Sequence, residues 1–230
     1  MNTHELQAAI VASDFRVLDV IPSSLRRMGI ATTIYGDTHS AIEAMSLRKV
    51  DAFFVDRELD PELSVLQTMR GARGNRKALA FAIIPREQTP GGAFRVADFL
   101  IDKPLMAPRV DQALRAAHAF MLKERIGYFR KSVDSAATLV DSAGQSISAV
   151  MINISQGGVA IQSTSALTPG DAHQIKFRLP EQEKCITCVA RVIWSDGQGR
   201  AGLRFMEGNS SHRAELVPWI EREFNKAMAA

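Results

Sequence analysis

The chain has 230 residues, of which 46% are hydrophobic and 23% charged, and its formal net charge is +3. This balance is typical of a soluble globular protein with one large or two ordinary domains, and it excludes a disordered chain and a strongly basic nucleic-acid-coating protein. The longest apolar run, Ala78 to Ile84, has seven residues and is too short to cross a bilayer. Because no secretory signal opens the chain, we expect a cytoplasmic protein with no membrane span and no DNA partner.

The first half of the chain alternates short apolar runs with segments of helical periodicity. The predicted strands cover residues 6–12, 31–36, 51–56, 78–84 and 98–102. The predicted helices lie near residues 15–28, 39–49, 61–72, 91–97 and 107–124. Five successive strand–helix units predict an α/β domain with a parallel sheet and helices on both faces, because parallel neighbours need crossover connections. The functional site of such a sheet lies at the carboxyl ends of its strands.

After Gly127 the sequence consists of short alternating segments separated by turn residues. The predicted strands lie near residues 136–141, 146–154, 158–163, 173–179, 185–195 and 200–206. Regular short strands of this kind predict an all-β domain, a six-stranded antiparallel barrel. A final helix over residues 210–229 carries an apolar face and is predicted to pack on the barrel. This face consists of Leu216, Trp219, Ile220 and Phe224.

The two cysteines, Cys185 and Cys188, lie three apart on a predicted strand. Positions three apart on a strand face opposite sides of the sheet, so a disulfide or a chelate within the pair is disfavoured and both are predicted to be packing residues. The five histidines are scattered without the spacing of metal ligands. We therefore expect no metal site and no cofactor.

Two motifs end predicted strands of the first half. "VDAFFVDREL" ends the third strand at Asp56, and "DFLIDKPL" places Lys103 before a proline after the fifth. Together with the five-unit order, they resemble the receiver domain of response regulators over about the first 120 residues. The resemblance implies a flavodoxin-like or CheY-like fold in which Asp56 would take a phosphoryl group and Lys103 would steady the phosphate.

Receiver domains also hold magnesium with two acidic residues after strand one, and this sequence departs from that pattern. Ala12 and Ser13 stand at those positions, which leaves Asp14 one place along. Because Mg²⁺ demands octahedral oxygen coordination and phosphoryl transfer depends on that arrangement, the departure predicts a degenerate receiver that serves as a dimerisation or partner-binding scaffold. Asp56 keeps two interpretations, a phosphoacceptor and a solvated carboxylate at a strand end.

The segment "MINISQGGVAI", residues 151–161, starts like a buried strand but carries polar residues and glycines. Asn153 and Ser155 are two apart, so on a strand they point to the same side, and Gly158 would permit a positive φ where the chain turns. A turn in which Asn or Ser closes a hairpin would use the same residue types, so this alternative stays open.

The pattern Asn153-x-Ser155-x-x-Gly158 resembles the second signature of the PilZ domain, a family whose members bind cyclic di-GMP. Upstream, "ERIGYFRKSV" is similar to the first signature, in which two arginines are separated by three residues, and "ARVIWSDGQGRAGLRF" is similar to the last two strands. The resemblance covers roughly residues 123–228. It implies a cyclic di-GMP site formed by Arg125, Arg130, Asn153, Ser155 and Gly158.

The first signature is imperfect, because Arg130 fits the second arginine but Ile126 stands four residues before it and Arg125 lies one step too early. We therefore expect weakened rather than abolished affinity. The run of Lys123, Arg125, Arg130 and Lys131 also has an ordinary interpretation, a solvated joint between domains. On this basis the domains are a receiver-like (βα)₅ domain over 1–120, a basic linker over 121–131 and a PilZ-like barrel over 132–228.

The two resemblances together imply a bacterial effector that binds cyclic di-GMP, changes its inter-domain arrangement and signals to a protein partner of unknown identity. A homodimer through the receiver-like domain is a further expectation. The alternative is an adaptor that binds no nucleotide, in which both domains are degenerate protein-interaction modules. An enzyme is not expected, because the sequence shows no nucleophile elbow, no Walker-type phosphate loop and no paired carboxylates in a recognisable setting.

Overall fold

The computed structural model describes residues 5–86, 93–206 and 211–229. The chain forms two compact units, Met1–Arg125 and Ile126–Ala230. Within the described residues no helix has both the length and the apolar character needed to cross a membrane.

The N-terminal unit is a five-stranded parallel sheet with strand order β2-β1-β3-β4-β5. Its strands are β1 Gln7–Val11, β2 Ala31–Tyr35, β3 Ala52–Asp56, β4 Leu79–Pro85 and β5 Phe99–Lys103. Its helices are α1 Phe15–Arg27, α2 Thr38–Leu47, α3 Ser64–Gly71, α4 Ala93–Val96 and α5 Ala107–Tyr128. The predicted flavodoxin-like fold is confirmed, although residues 91 and 92 of the fourth predicted helix lie outside the described residues. The order of strands changes direction between β1 and β3, where sites of such sheets form.

Helices cover both faces of this sheet because alternate residues of each strand feed two separate cores. Ile10 and Phe54 pack with α1 and α5 on one face, whereas Val11 and Val55 pack with α2 and α3 on the other. All five residues of β3 are buried, which explains why the central strands appear in the sequence as continuous apolar runs.

Helix α5 continues four residues past its predicted end, and most of the segment predicted as a linker lies inside it. Its buried residues Val110, Leu114, Ala117 and Met121 recur at helical spacing. Met121 belongs to the core of the N-terminal unit, so the apolar face of α5 extends into the segment 121–131. Only residues 129 and 130 separate α5 from the next strand.

The C-terminal unit is a closed antiparallel barrel with strand order β10-β11-β8-β7-β6-β9, as predicted. Its strands are β6 Lys131–Val140, β7 Ser146–Ser155, β8 Gly158–Ser163, β9 Ala172–Arg178, β10 Cys185–Ser195 and β11 Arg200–Phe205. Strand β6 begins five residues before its predicted start, because a register shift between Ser132 and Ser135 interrupts its alternation. Both cysteines of β10 are free thiols, and burial raises the pKa of Cys188 to about 12.

The last helix, α6, spans Ser211–Ala229 and packs against strands β6 and β10 of the barrel. The apolar face that the sequence predicted is buried. Pro218 lies within α6.

Candidate functional site

A cavity of about 380 Å³ opens on the barrel. It brings together four residues that the sequence predicted to bind a ligand, Arg130, Asn153, Ser155 and Gly158. The other residues that line it are Gly127, Gly157, Val159, Ala160, Ile193, Trp194, Gly202, Leu203 and Arg204. None of these described lining residues is acidic, so the two arginines give the cavity a positive character.

Strand pairing delivers Arg130 to the polar residues of β7. Lys131 pairs with Ile154 and Ser132 with Asn153, so Arg130, which directly precedes β6, stands at the end of β7 that carries Ser155. Within the described part of the chain, the only hydrogen bond of the Arg130 guanidinium goes to the carbonyl oxygen of Tyr128, 3.1 Å away. The exposed guanidinium therefore retains most of its donors for a ligand.

Asn153 and Ser155 differ in how far the protein already satisfies them. Asn153 is half-buried, and its amide makes no hydrogen bond to the residues described. The Ser155 hydroxyl is nearly buried and donates to the carbonyl oxygen of Gly158 at 3.2 Å. Ser155 thus helps to close the hairpin between β7 and β8, as the alternative interpretation required, while its oxygen can still accept a hydrogen bond.

The prediction that Gly158 provides a positive φ is wrong. Positive φ values occur at other glycines, for example Gly144 and Gly170. A Cβ atom at Gly158 would instead lie 2.2 Å from the carbonyl oxygen of Leu203 on β11. The residue must be glycine because two paired backbones approach too closely there for a side chain.

Trp194 is a lining residue that the sequence analysis missed. A register shift in β10 between Val192 and Trp194 leaves Ile193 and Trp194 both about half exposed. The indole lies over Gly202, where a Cβ atom would come within 2.0 Å of its Nε1. The unbroken apolar run "VIW" inside an alternating strand was the available signal for a bulge.

Arg125 is not a lining residue of the barrel cavity. It lies in the N-terminal unit, where its guanidinium donates to the carbonyl oxygen of Glu5 at 3.0 Å and lies 3.5 Å from a carboxylate oxygen of Asp51. Asp51 is buried and also accepts the backbone amide of Gln7 at 2.9 Å. Burial raises the pKa of Asp51, and the Arg125 charge opposes that shift. The first predicted arginine therefore has a structural role in this unit.

In the N-terminal unit, Lys103 holds the carboxylates at the ends of β1 and β3. Its Nζ lies 2.8 Å from Asp14 Oδ2, 2.8 Å from Asp56 Oδ2 and 2.6 Å from Glu58 Oε2. Burial disfavours the charged form of Lys103, but the hydrogen bonds to the three carboxylates outweigh it and raise the pKa above its ordinary value. The hydrogen bond from Lys103 in turn lowers the pKa of Asp14.

The interpretation of Asp56 as a solvated carboxylate is wrong, because only 1% of its surface is exposed. Oxygen atoms of Asp14, Asp56 and Glu58 lie within 4.8 Å of one another, a donor set of the kind that hard cations accept. The Lys103 ammonium, however, already takes one oxygen of each carboxylate. A divalent cation at this cluster would have to share the three carboxylates with the Lys103 ammonium.

The family model of the PilZ domain matches residues 124–222. The C-terminal part of the chain therefore matches the PilZ family over these residues, and the N-terminal part is the flavodoxin-like α/β unit described above. No curated protein matches the chain.

Solved structures resemble each part separately. The receiver domain of the sensor histidine kinase PA1611 from Pseudomonas aeruginosa is 18% identical with a TM-score of 0.43, and the match covers 51% of this chain and 98% of that one. The PilZ domain of CeSA from a cellulose-synthesizing bacterium is 18% identical with a TM-score of 0.35, covering 40% and 94%. The inhibitor of motility MotI from Bacillus subtilis is 22% identical with a TM-score of 0.35, covering 42% and 50%.

Proposed function

We propose that this protein is an effector that binds cyclic di-GMP in the barrel cavity and transmits the signal to a protein partner through a rearrangement of its two units. The observation that carries the proposal is the convergence of Arg130, Asn153 and Ser155 on one cavity that the PilZ family match contains. The cavity volume of about 380 Å³ falls within the usual range of small-molecule sites, about 300–1,000 Å³.

The side chains suit the two chemical parts of the ligand. The Arg130 guanidinium can fork onto O6 and N7 of a guanine or lie against its face, and the Asn153 amide offers both a donor and an acceptor to the guanine edge. The exposed Trp194 indole offers a stacking surface for a base. Arg204 supplies a second positive charge toward the two phosphates.

The protein would use Arg130 without the help of Arg125 from the first signature, since Arg125 is engaged with Asp51 and Glu5. We therefore expect an affinity below that of a site with two arginines. A lost bidentate arginine contact weakens binding by about 1–3 kcal/mol, or roughly fivefold to 150-fold.

Calorimetric titration with cyclic di-GMP tests the proposal. The parent should bind, and Arg130→Ala should weaken binding by about fivefold to 150-fold. Arg178→Ala is the matched control, because this exposed arginine of β9 does not line the cavity. Parent-like binding by Arg130→Ala would show that the site is assigned to the wrong residues.

An adaptor without a nucleotide is the second candidate. Two observations favour it: Arg125 is engaged inside the N-terminal unit, and Lys103 satisfies the carboxylates of the receiver-like site. Absence of heat for the parent at high micromolar ligand would support this alternative over the effector.

A further inference from the structure

The terminal helix α6 contacts the residues on both sides of Arg130. Before it, Phe129 is 8% exposed, and its ring meets that of Phe224 edge-on, with centroids 5.5 Å apart. After it, the Nζ of Lys131 lies 2.7 Å from a carboxylate oxygen of Glu223. Phe224 and Glu223 are adjacent on α6, so one turn of this helix contacts the chain immediately before and after the arginine.

The Lys131–Glu223 pair is better shielded than an ordinary surface ion pair. The Glu223 side chain is 9% exposed, compared with 41% for Lys131. Hydrogen bonds from Lys131 and then from Lys226 lower the pKa of Glu223, so the carboxylate stays charged through the neutral range. A partly buried, hydrogen-bonded pair holds its geometry more firmly than two exposed side chains do.

Arg130 has little anchoring of its own. Its side chain is exposed, and its one hydrogen bond among the described residues goes to Tyr128, two residues earlier on the same stretch of chain. Three attachments therefore fix the position of its backbone: the β6–β7 ladder that begins at Lys131, the end of α5, where the Phe129 amide donates to the carbonyl oxygen of Ile126 at 3.0 Å, and the two contacts with α6. The ladder acts only on the C-terminal side, whereas α6 also holds Phe129.

We infer that Glu223 and Phe224 are positioning residues for ligand binding, because they hold Arg130 at the cavity in advance of the ligand. The inference rests on the proposed function and adds α6 to the elements that determine affinity. If the backbone of Arg130 is already fixed before the ligand arrives, less conformational entropy is lost on binding, and the affinity is higher. Because none of the described side chains of α6 lines the cavity, a loss of affinity on altering Glu223 or Phe224 would arise through Arg130.

The test compares two glutamates of α6 that each pair with a lysine outside the helix. Glu223→Ala removes the pair with Lys131, whereas the control Glu215→Ala removes the pair with Lys184, two turns earlier on the helix. Calorimetry with cyclic di-GMP should show about threefold to tenfold weaker binding for Glu223→Ala and parent-like binding for Glu215→Ala. Equal affinities for the two variants would overturn the inference.

A double-mutant cycle separates positioning from general loss of stability. If Glu223 acts through Lys131, then Lys131→Ala combined with Glu223→Ala should bind no more weakly than either single variant. Additive losses from the two changes would contradict this route. Thermal unfolding midpoints, recorded in parallel, should fall more for Glu223→Ala, whose carboxylate is 9% exposed, than for Glu215→Ala, whose carboxylate is 32% exposed, so binding is measured well below both midpoints.

Hydrogen–deuterium exchange of residues 129–131 without ligand keeps this inference distinct from the proposed function. Faster exchange of this segment in Glu223→Ala than in Glu215→Ala supports the positioning role, and equal exchange overturns it. A parent that binds no cyclic di-GMP would refute the proposed function. The exchange comparison would then decide alone whether α6 holds Arg130.

Discussion

The barrel cavity and the carboxylate cluster of the N-terminal unit both gather charged side chains, but they satisfy charge in opposite ways. In the cluster, Asp14, Asp56 and Glu58 each accept a hydrogen bond from the single ammonium of Lys103. In the cavity, Arg130 bonds only to a backbone carbonyl among the described residues, and none of the described lining residues is acidic. A cluster whose charges are paired internally stabilises the fold, whereas polar groups kept without internal partners are available for a ligand.

The two arginines of the first signature repeat this contrast within five residues. Arg125 binds a buried carboxylate and a backbone carbonyl in the N-terminal unit, while Arg130 faces the cavity. Sequence similarity alone predicted that both arginines bind the ligand, whereas their different surroundings in the structure give them different roles.

The largest effect is expected from removing the internal cation of the cluster. Lys103→Met would leave three carboxylates facing one another, with Asp56 buried, and breaking a buried pair in this way destabilises by about 3–5 kcal/mol. Urea unfolding of the parent and variant near neutral pH measures the difference. Lys77→Met serves as a control, because its pair with Glu124 is largely exposed and should change stability by less than about 1 kcal/mol.

The same pair of proteins has a predicted pH dependence. The hydrogen bond from Lys103 lowers the pKa of Asp14, so its stabilisation is present above the ordinary aspartate pKa and is lost as the pH falls through the lowered value. The stability difference between parent and Lys103→Met should therefore narrow in acid. A difference that stays constant down to acid pH would show that Lys103 acts through packing instead of charge.

A smaller loss of stability is expected in the wall of the barrel cavity. Gly158→Ala would push a methyl group against the Leu203 carbonyl, and such overpacking destabilises by about 1–3 kcal/mol. Gly157→Ala is the matched control, since a Cβ atom there meets nothing within 4 Å. If chemical denaturation gives equal midpoints for the two variants, the close approach of β8 and β11 is not what requires glycine.

Loss of the exposed indole should affect binding more than folding. Trp194→Ala is expected to weaken cyclic di-GMP binding by about 1–3 kcal/mol, the usual value of one stacked base. Val189→Ala, a similarly exposed apolar residue of the same strand that does not line the cavity, should bind like the parent in calorimetry. Unchanged binding by Trp194→Ala would show that Trp194 does not stack on a base of the ligand.

The smallest expected effect is no effect at all. Incubation with acetyl phosphate and magnesium should leave the mass of the chain unchanged, because Lys103 occupies the carboxylates and residues 12 and 13 supply none. An added phosphoryl group on Asp56, detected by mass spectrometry, would support the interpretation of Asp56 as a phosphoacceptor. The carboxylate cluster would then be a functional site, like the cavity.

The sequence predicted the order of elements well because each was marked by local features. Strands buried on both faces gave continuous apolar runs, helices gave apolar residues at helical spacing, and turns carried glycine, proline and aspartate. The predicted boundaries of elements were wrong where a nonlocal contact determines them. Helix α5 continues past its predicted end because Met121 packs in the core of the sheet, and a register shift near the start of β6 hides its alternation.

Site residues were predicted where a motif carried them and missed where only the fold assembles them. Asn153 and Ser155 share a cavity because they are two apart on one strand. Trp194 joins them only through a bulge in β10, and Glu58 joins Lys103 from a loop. The role of Gly158 was misjudged because the atom that excludes a side chain belongs to Leu203, 45 residues later.

The most direct measurement is a crystal structure of the full chain grown with cyclic di-GMP. Ligand density is expected in the barrel cavity, with a guanine within hydrogen-bond distance of the Arg130 guanidinium and the Asn153 amide. A ligand bound away from these two side chains, or crystals that remain free of ligand at saturating concentration, would contradict it.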